Sequence, residues 1–159
     1  ISGEVFVQAL LHDMGISVMH RYFNNEFKRI VDIARESDLS FMEAEESVLS
    51  VTHADIGSWL AERWNLPDHL VEGVLLHATP GKAEKNPELV AIIHCADVFA
   101  ARINGGPVEF DKGIDFDQSA LARLKLEDPN VLEQYIKNYS EVINTDIREA
   151  AMIAHLNVM

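Results

Sequence analysis

Apolar residues along this chain recur at helical spacing, and no stretch reads as a convincing strand. Residues 3–12 (GEVFVQALLH) are apolar at nearly every position and predict the end of a buried helix. His12-Asp13-Met14-Gly15 interrupts it, with Gly15 free to take a backbone shape other residues resist. A short apolar segment, ISVMHRYF, follows. Phe27, Ile30, Val31 and Ala34 then fall at i, i+3, i+4 and i+7, one face of an amphipathic helix. Ser40 with Glu43 has the capping-box spacing, and Thr52 is a good N-cap for HADIGSWLAERW. In that helix Ile56, Trp59, Leu60 and Arg63 share a face, and Trp59 is expected in the core. Trp64-Asn65-Leu66-Pro67 closes it, with Trp64 expected to lock the turn against Pro67. Proline suits the start of the next helix, DHLVEGVLLH, because the N–H it lacks would be unpaired there anyway.

The second half begins with a polar loop, PGKAEKNP. Asn86-Pro87 opens an apolar helix, ELVAIIHCADVFAARI, which Asn104-Gly105-Gly106-Pro107 stops. Residues 105–116 read as irregular and 117–124 as a short helix. Asp128-Pro129 starts a long final helical stretch with an expected break near Asn144-Thr145-Asp146. Leu132, Tyr135, Ile136, Tyr139, Val142 and Ile143 give it an apolar face for its own bundle or for a second chain. The fold class is all-α, a helical bundle. Residues 1–104 are expected to form its core and 105–159 a helical extension packed on the same domain.

Composition narrows the function. At 159 residues the chain suffices for one well-packed domain. It carries 26 acidic against 13 basic residues, a net charge of −13, which repels phosphate backbones and argues against direct nucleic-acid binding. No apolar run approaches the ~20 residues of a membrane span. The first residues lack the basic start and cleavage site of a signal peptide. A single cysteine, Cys95, excludes an internal disulfide, fits a reducing cytoplasm, and reads as a small buried hydrophobe. The chain opens on Ile1, so the expectation is a segment of a longer protein.

Five residues combine metal-ligand chemistry with an apolar setting: His12 and Asp13 at the helix break, His53 at a helix start, His77 at a helix end, and Asp97 inside IIHCADVFAA. A carboxylate in an apolar helix is costly unless a cation, a histidine or several donors meet it. Imidazoles with carboxylates suit Fe, Mn, Zn or similar divalent ions. A histidine at a helix end also serves as a cap or a solvated group, and that reading stands for each residue taken singly. His94 lies three residues before Asp97, where a hydrogen bond to a neighbour is favoured over ligation. Glu43, Glu45 and Glu46 read as a solvated helix face.

These residues carry a family resemblance. LLHDMG resembles the His-Asp corner of the HD superfamily, and THADIGSWLAERWNLPDHLVEGVLLH resembles the signature of its HDOD branch. That signature is a His shortly before a Gly, a Trp-x-Leu-Pro turn, and a helix ending in His. ELVAIIHCADVFA is similar to the later helix with the superfamily's Ala-Asp pair. The resemblance spans about residues 5–103 and implies an HD-domain-like helical bundle. It implies that His12, Asp13 and Asp97 match core metal ligands, and His53 and His77 those of binuclear members, with a divalent ion (Fe, Mn, Zn or Mg) as cofactor.

Departures from the pattern point away from turnover. Ile16 stands where active members place Lys, and Ala78 where many have a second His. The first His ligand of the superfamily would lie upstream of His12. The Gly-Tyr-Pro motif of cyclic-di-GMP hydrolases is missing after His77. The branch implies an output or scaffold module in bacterial signalling, with protein partners and room for homo-oligomers. The alternatives are a metal-dependent phosphohydrolase of a nucleotide or cyclic dinucleotide, and a plain helical interaction domain whose five polar positions scatter in space.

Overall fold

A computed structural model describes residues 2–103 and 113–156 of the chain. The expected boundary at residue 104 and most of the expected irregular segment fall outside these residues. Within them the regular structure is helical: α1 (Ser2–Leu11), α2 (Met14–Tyr22), α3 (Asn24–Glu36), α4 (Phe41–Leu49), α5 (His53–Arg63) and α6 (Asp68–Leu76). A 3-10 turn (Pro80–Lys82), α7 (Pro87–Ile103), α8 (Gln118–Leu124) and α9 (Pro129–Leu156) follow. The chain divides into two compact units, Ile1–Leu124 and Lys125–Met159.

In the first unit the apolar stripe read for α3 is the one that is buried. Phe27, Ile30 and Ala34 join Met19 of α2 and Phe41 and Ala44 of α4 in one core. Leu70, Leu89 and Ile93 form a second cluster between α6 and α7, with Val5 of α1 packed against it. The expected Ser40 capping box forms, and the expected Thr52 cap proves to be a capping box as well. Ser40 Oγ accepts from the Glu43 amide while Glu43 accepts from the Ser40 amide at 2.7 Å. Thr52 and Asp55 do the same at the start of α5, fixing the first turn that carries His53.

Helix α5 departs from its expected orientation. Its buried residues are Ala54, Gly57, Ser58 and Ala61, besides His53, whereas Trp59 is 54% exposed. The core face is the one with small side chains, because α2 and α6 both pack on α5 and a tryptophan there would hold them apart. Nor does Trp64, also mostly exposed, lock the following turn. Asn65 takes the left-handed conformation at φ 54°. The Leu66 amide then reaches the Ala61 carbonyl and the Asn65 amide that of Glu62, a Schellman closure that Asn tolerates well.

Two close contacts set the geometry around α5 and α6. A Cβ on Gly15 would lie 2.0 Å from the His53 backbone oxygen, so the first turn of α2 rests directly on the first turn of α5. Gln8 of α1 is fully buried, and its amide donates to the Leu70 carbonyl at 3.2 Å and accepts from the Val74 amide at 2.8 Å. On the far side of α6, Glu72 accepts the amides of Glu84, Lys85 and Asn86 and pins the loop into α7.

In the second unit α9 is continuous through residues 144–146, so the expected break is absent. Asn, Thr and Asp cost a helix only tenths of a kcal/mol each, and none removes an amide as proline does. Tyr135 and Tyr139, one turn apart, stack with ring centroids 6.0 Å apart; the Ile143 side chain lies outside the described structure. Among the described residues no helix is long and apolar enough to cross a membrane.

The α2–α5 contact makes a sharp expectation. Gly15→Ala should cost about 2–3 kcal/mol in urea unfolding, since the clash is with backbone. Gly3→Ala, with nothing near the added carbon, should be neutral or stabilising by up to ~1 kcal/mol. Equal midpoints for the two variants would refute the close approach.

Candidate metal centre

The fold brings all five candidate residues to one corner of the first unit. His12 follows the last turn of α1 and Asp13 is the N-cap of α2, yet Asp13 makes no side-chain capping bond, which leaves its carboxylate for the histidines. Oδ1 of Asp13 lies 3.5 Å from His53 Nε2 and 3.6 Å from His77 Nε2, and Oδ2 lies 3.3 Å from His12 Nε2. Asp97 comes in from α7, its Oδ1 3.6 Å from His12 Nε2. Its side chain is 19% exposed, so it lies partly buried at the edge of the corner, with the histidine its apolar setting called for.

Two overlapping ligand sets result, Asp13–His53–His77 and His12–Asp13–Asp97, each with donor atoms within 4.8 Å of one another. His53 and His77 are buried, and their Nε2 atoms face each other at 3.2 Å. The His12 Nε2 atom is buried and, despite its nearness to both carboxylates, forms no hydrogen bond. A buried nitrogen without a hydrogen-bond partner, aimed at two carboxylates, is placed as a metal ligand would be. Three imidazoles and two carboxylates are a donor set that divalent transition ions favour. The residues present therefore fit a metal.

Charge among the side chains of the corner is unevenly shared. Burial works to lower His12, but Asp13 and Asp97 outweigh it and raise its pKa to about 10. Burial likewise opposes ionisation of Asp13, and His12 with the other two histidines overcomes it, holding the carboxyl at about 2. His53 is raised too, against its burial, by Glu45. His77 goes the other way, to about 4, through burial and its charged neighbours His53 and His12.

Two further residues hold this corner together, one misread from the sequence and one read correctly. Glu45, read as solvated, is fully buried and accepts from the His53 ring Nδ1 at 2.8 Å and from its amide at 3.0 Å. Its neighbours Glu43 and Glu46 gave it an acidic-surface look; only its place one turn after Phe41, on the buried face of α4, sets it apart. His94 does make the expected hydrogen bonds. Its Nδ1 meets the His77 carbonyl at 2.9 Å, and its Nε2 accepts from the Asp117 amide at 2.9 Å. Cys95 is buried as expected, and burial, with Asp117, lifts its thiol to about 11.

The corner opens into a cavity of about 120 Å3. Besides the ligand candidates Asp13, His53, His77 and Asp97, its walls include Ile16, Phe41, Ala78, His94 and residues 113–115. Gly113, at φ 86°, passes so close to Ser40 that a Cβ would lie 2.5 Å from the serine Cβ. The following residues are held by an Arg102–Asp115 ion pair and by Arg102 over the Phe116 ring at 4.4 Å.

Residues 2–80 match the family model of the HDOD domain. Over these residues the chain belongs to the HDOD family. The match includes His12, Asp13, His53 and His77; Asp97 comes from beyond it. A crystal structure of an HDOD domain protein with unknown function from Geobacter sulfurreducens is similar at a TM-score of 0.61 and 24% identity, over 86% of this chain and 52% of that one. That likeness bears out the all-α HD-domain-like bundle. An uncharacterized protein of Treponema pallidum (strain Nichols) is 25% identical over 104 residues, 65% of this chain. The chain spans only 20% of that relative's length.

Metal uptake by this HDOD corner should expel protons at neutral pH. Of the histidines, His12 (about 10) and His53 (raised) must lose a proton to ligate, whereas His77 (about 4) is already neutral and Asp13 (about 2) already ionised. Zn2+ affinity measured by chelator competition should therefore rise at least about tenfold per pH unit from pH 6 to 8. A flat profile would contradict the charge distribution.

Proposed function

We propose that this HDOD domain is a signalling output or scaffold module that keeps the metal-ligating corner of the HD phosphohydrolases without their turnover. The observation that carries this reading is the cavity over the corner. At about 120 Å3 it is small beside the roughly 300–1,000 Å3 of ordinary ligand pockets. Its described walls include Asp13, Asp97 and Asp115 but no lysine or arginine, so none of those described residues offers a cation to a phosphate. Ile16 and Ala78, two departures from the active pattern, both face it.

In this reading His12, Asp13, His53, His77 and Asp97 hold a divalent ion of the Fe, Mn, Zn or Mg class. Such an ion would tie α1, α5, α6 and α7 together, and it would supply Lewis acidity to a phosphoester able to reach it. The module works in the cytoplasm through protein partners of a signalling pathway, a second copy of the chain being one candidate. A net charge of −13 disfavours direct nucleic-acid contact and gives no attraction to an anionic membrane.

The convergence of five ligand candidates at one corner, the His12 nitrogen among them without a hydrogen bond, favours a second reading, a metal-dependent phosphohydrolase of a nucleotide or cyclic dinucleotide. An assay on the full-length protein with Mn2+, Zn2+ and Mg2+ against both substrate classes separates the two. The expected result is turnover no greater than that of the Asp13→Ala variant. Metal-dependent hydrolysis that disappears in His12→Ala would overturn the scaffold reading.

A further inference from the structure

The three histidines of the corner share one arrangement. Each Nδ1 is engaged from outside and each Nε2 turns inward. His12 Nδ1 donates to the Ala9 carbonyl and His77 Nδ1 to the Val74 carbonyl, both at 2.8 Å. His53 alone uses a carboxylate, with the two oxygens of Glu45 at 2.9 and 2.8 Å from its Nδ1.

Glu45 is costly where it stands. It is fully buried, and among the described residues its hydrogen bonds all go to His53, through the ring and through the amide at 3.0 Å. A carboxylate stripped of water needs positive charge close by. Here that charge is either a proton on the imidazole or an ion on its far side. The ring's other nitrogen lies 3.5 Å from Asp13 and 3.2 Å from the His77 Nε2, at the centre of one of the two ligand sets. Carboxylate, imidazole and ligand cluster thus lie in one line, an order in which an outer carboxylate fixes a ligand's tautomer and strengthens its donor atom.

We infer that Glu45 is a positioning residue for metal binding, which holds His53 as its Nδ1–H tautomer and directs Nε2 to a divalent ion at Asp13–His53–His77. The inference rests on the metal reading above and adds the residue on which affinity at that half of the corner depends. Glu45 itself touches no ion. It acts through His53, fixed at the first position of α5 by the Thr52 cap. The backbone carbonyls behind His12 and His77 orient their rings without adding charge, so His53 is the ligand with the strongest support.

The test uses the whole protein with Zn2+. Affinity is measured by chelator competition for wild type, Glu45→Gln and Glu45→Ala, alongside melting temperatures in EDTA. Glu45→Gln, which keeps an acceptor but no charge, is expected to weaken Zn2+ about 10–100-fold, and Glu45→Ala at least as much. A merely structural ion pair would lower the melting temperature and leave the affinity of the folded protein unchanged. Imidazole NMR of the Zn2+-loaded wild type gives an independent reading that needs no variant. His53 should be ligated through Nε2 and show a slowly exchanging Nδ1–H. Wild type that binds Zn2+ while Glu45→Gln binds it within threefold overturns the inference alone, as does His53 ligated through Nδ1. Wild type that takes up no Zn2+ overturns the metal reading and this inference with it.

Discussion

The seating of α2 on α5 is the contact from which the rest of the corner follows. With no side chain on Gly15, the backbone at the start of α2 meets the backbone of His53 directly. Asp13, two residues earlier, is thereby held within reach of His53 and His77. Any larger residue would lift the aspartate away and dissolve both ligand sets, since Asp13 belongs to each. The small face of α5, Ala54, Gly57, Ser58 and Ala61, serves the same end by letting α2 and α6 approach. Backbone proximity comes first here, and the polar chemistry is arranged upon it.

Polar groups so placed are expensive, and the corner offsets that expense in a definite way. Every histidine nitrogen that faces outward has an acceptor, supplied by Ala9, Val74 or Glu45. The inward nitrogens have only one another and two carboxylates, and the one on His12 has no hydrogen bond at all. Such asymmetry is natural for a coordination site and wasteful for a purely structural one. Beyond the corner, the aspartates among the described wall residues disfavour a phosphate in the cavity. These two features, the convergent ligand candidates and the aspartates of the cavity wall, are what the scaffold proposal rests on.

Much of this was legible in the sequence, and what was missed has physical reasons. Phe27, Ile30 and Ala34 could be read because α3 is amphipathic by size as well as polarity. Ser40 and Thr52 could be read because a capping box is a local arrangement of four residues. The five ligand candidates stood out because charge inside apolar helices demands a partner. Trp59 misled because bulk was taken for burial, when α5 buries its smallest side chains to gain closeness. Glu45 misled for a related reason: the acidic residues Glu43 and Glu46 beside it are exposed, and its true partner lies eight residues away at the start of α5. Local pattern reports propensity; it cannot report which face a tertiary neighbour will claim.

Gln8 has an effect on the corner that its distance from it conceals. Its amide is spliced between the Leu70 carbonyl and the Val74 amide of α6, so α1 cannot slide or rotate against α6 without surrendering both bonds. His12 lies one turn beyond Gln8, and His77 just under one turn beyond Val74. The splice therefore acts as an index pin between two shafts, setting how far each histidine projects past the other before any ligand arrives.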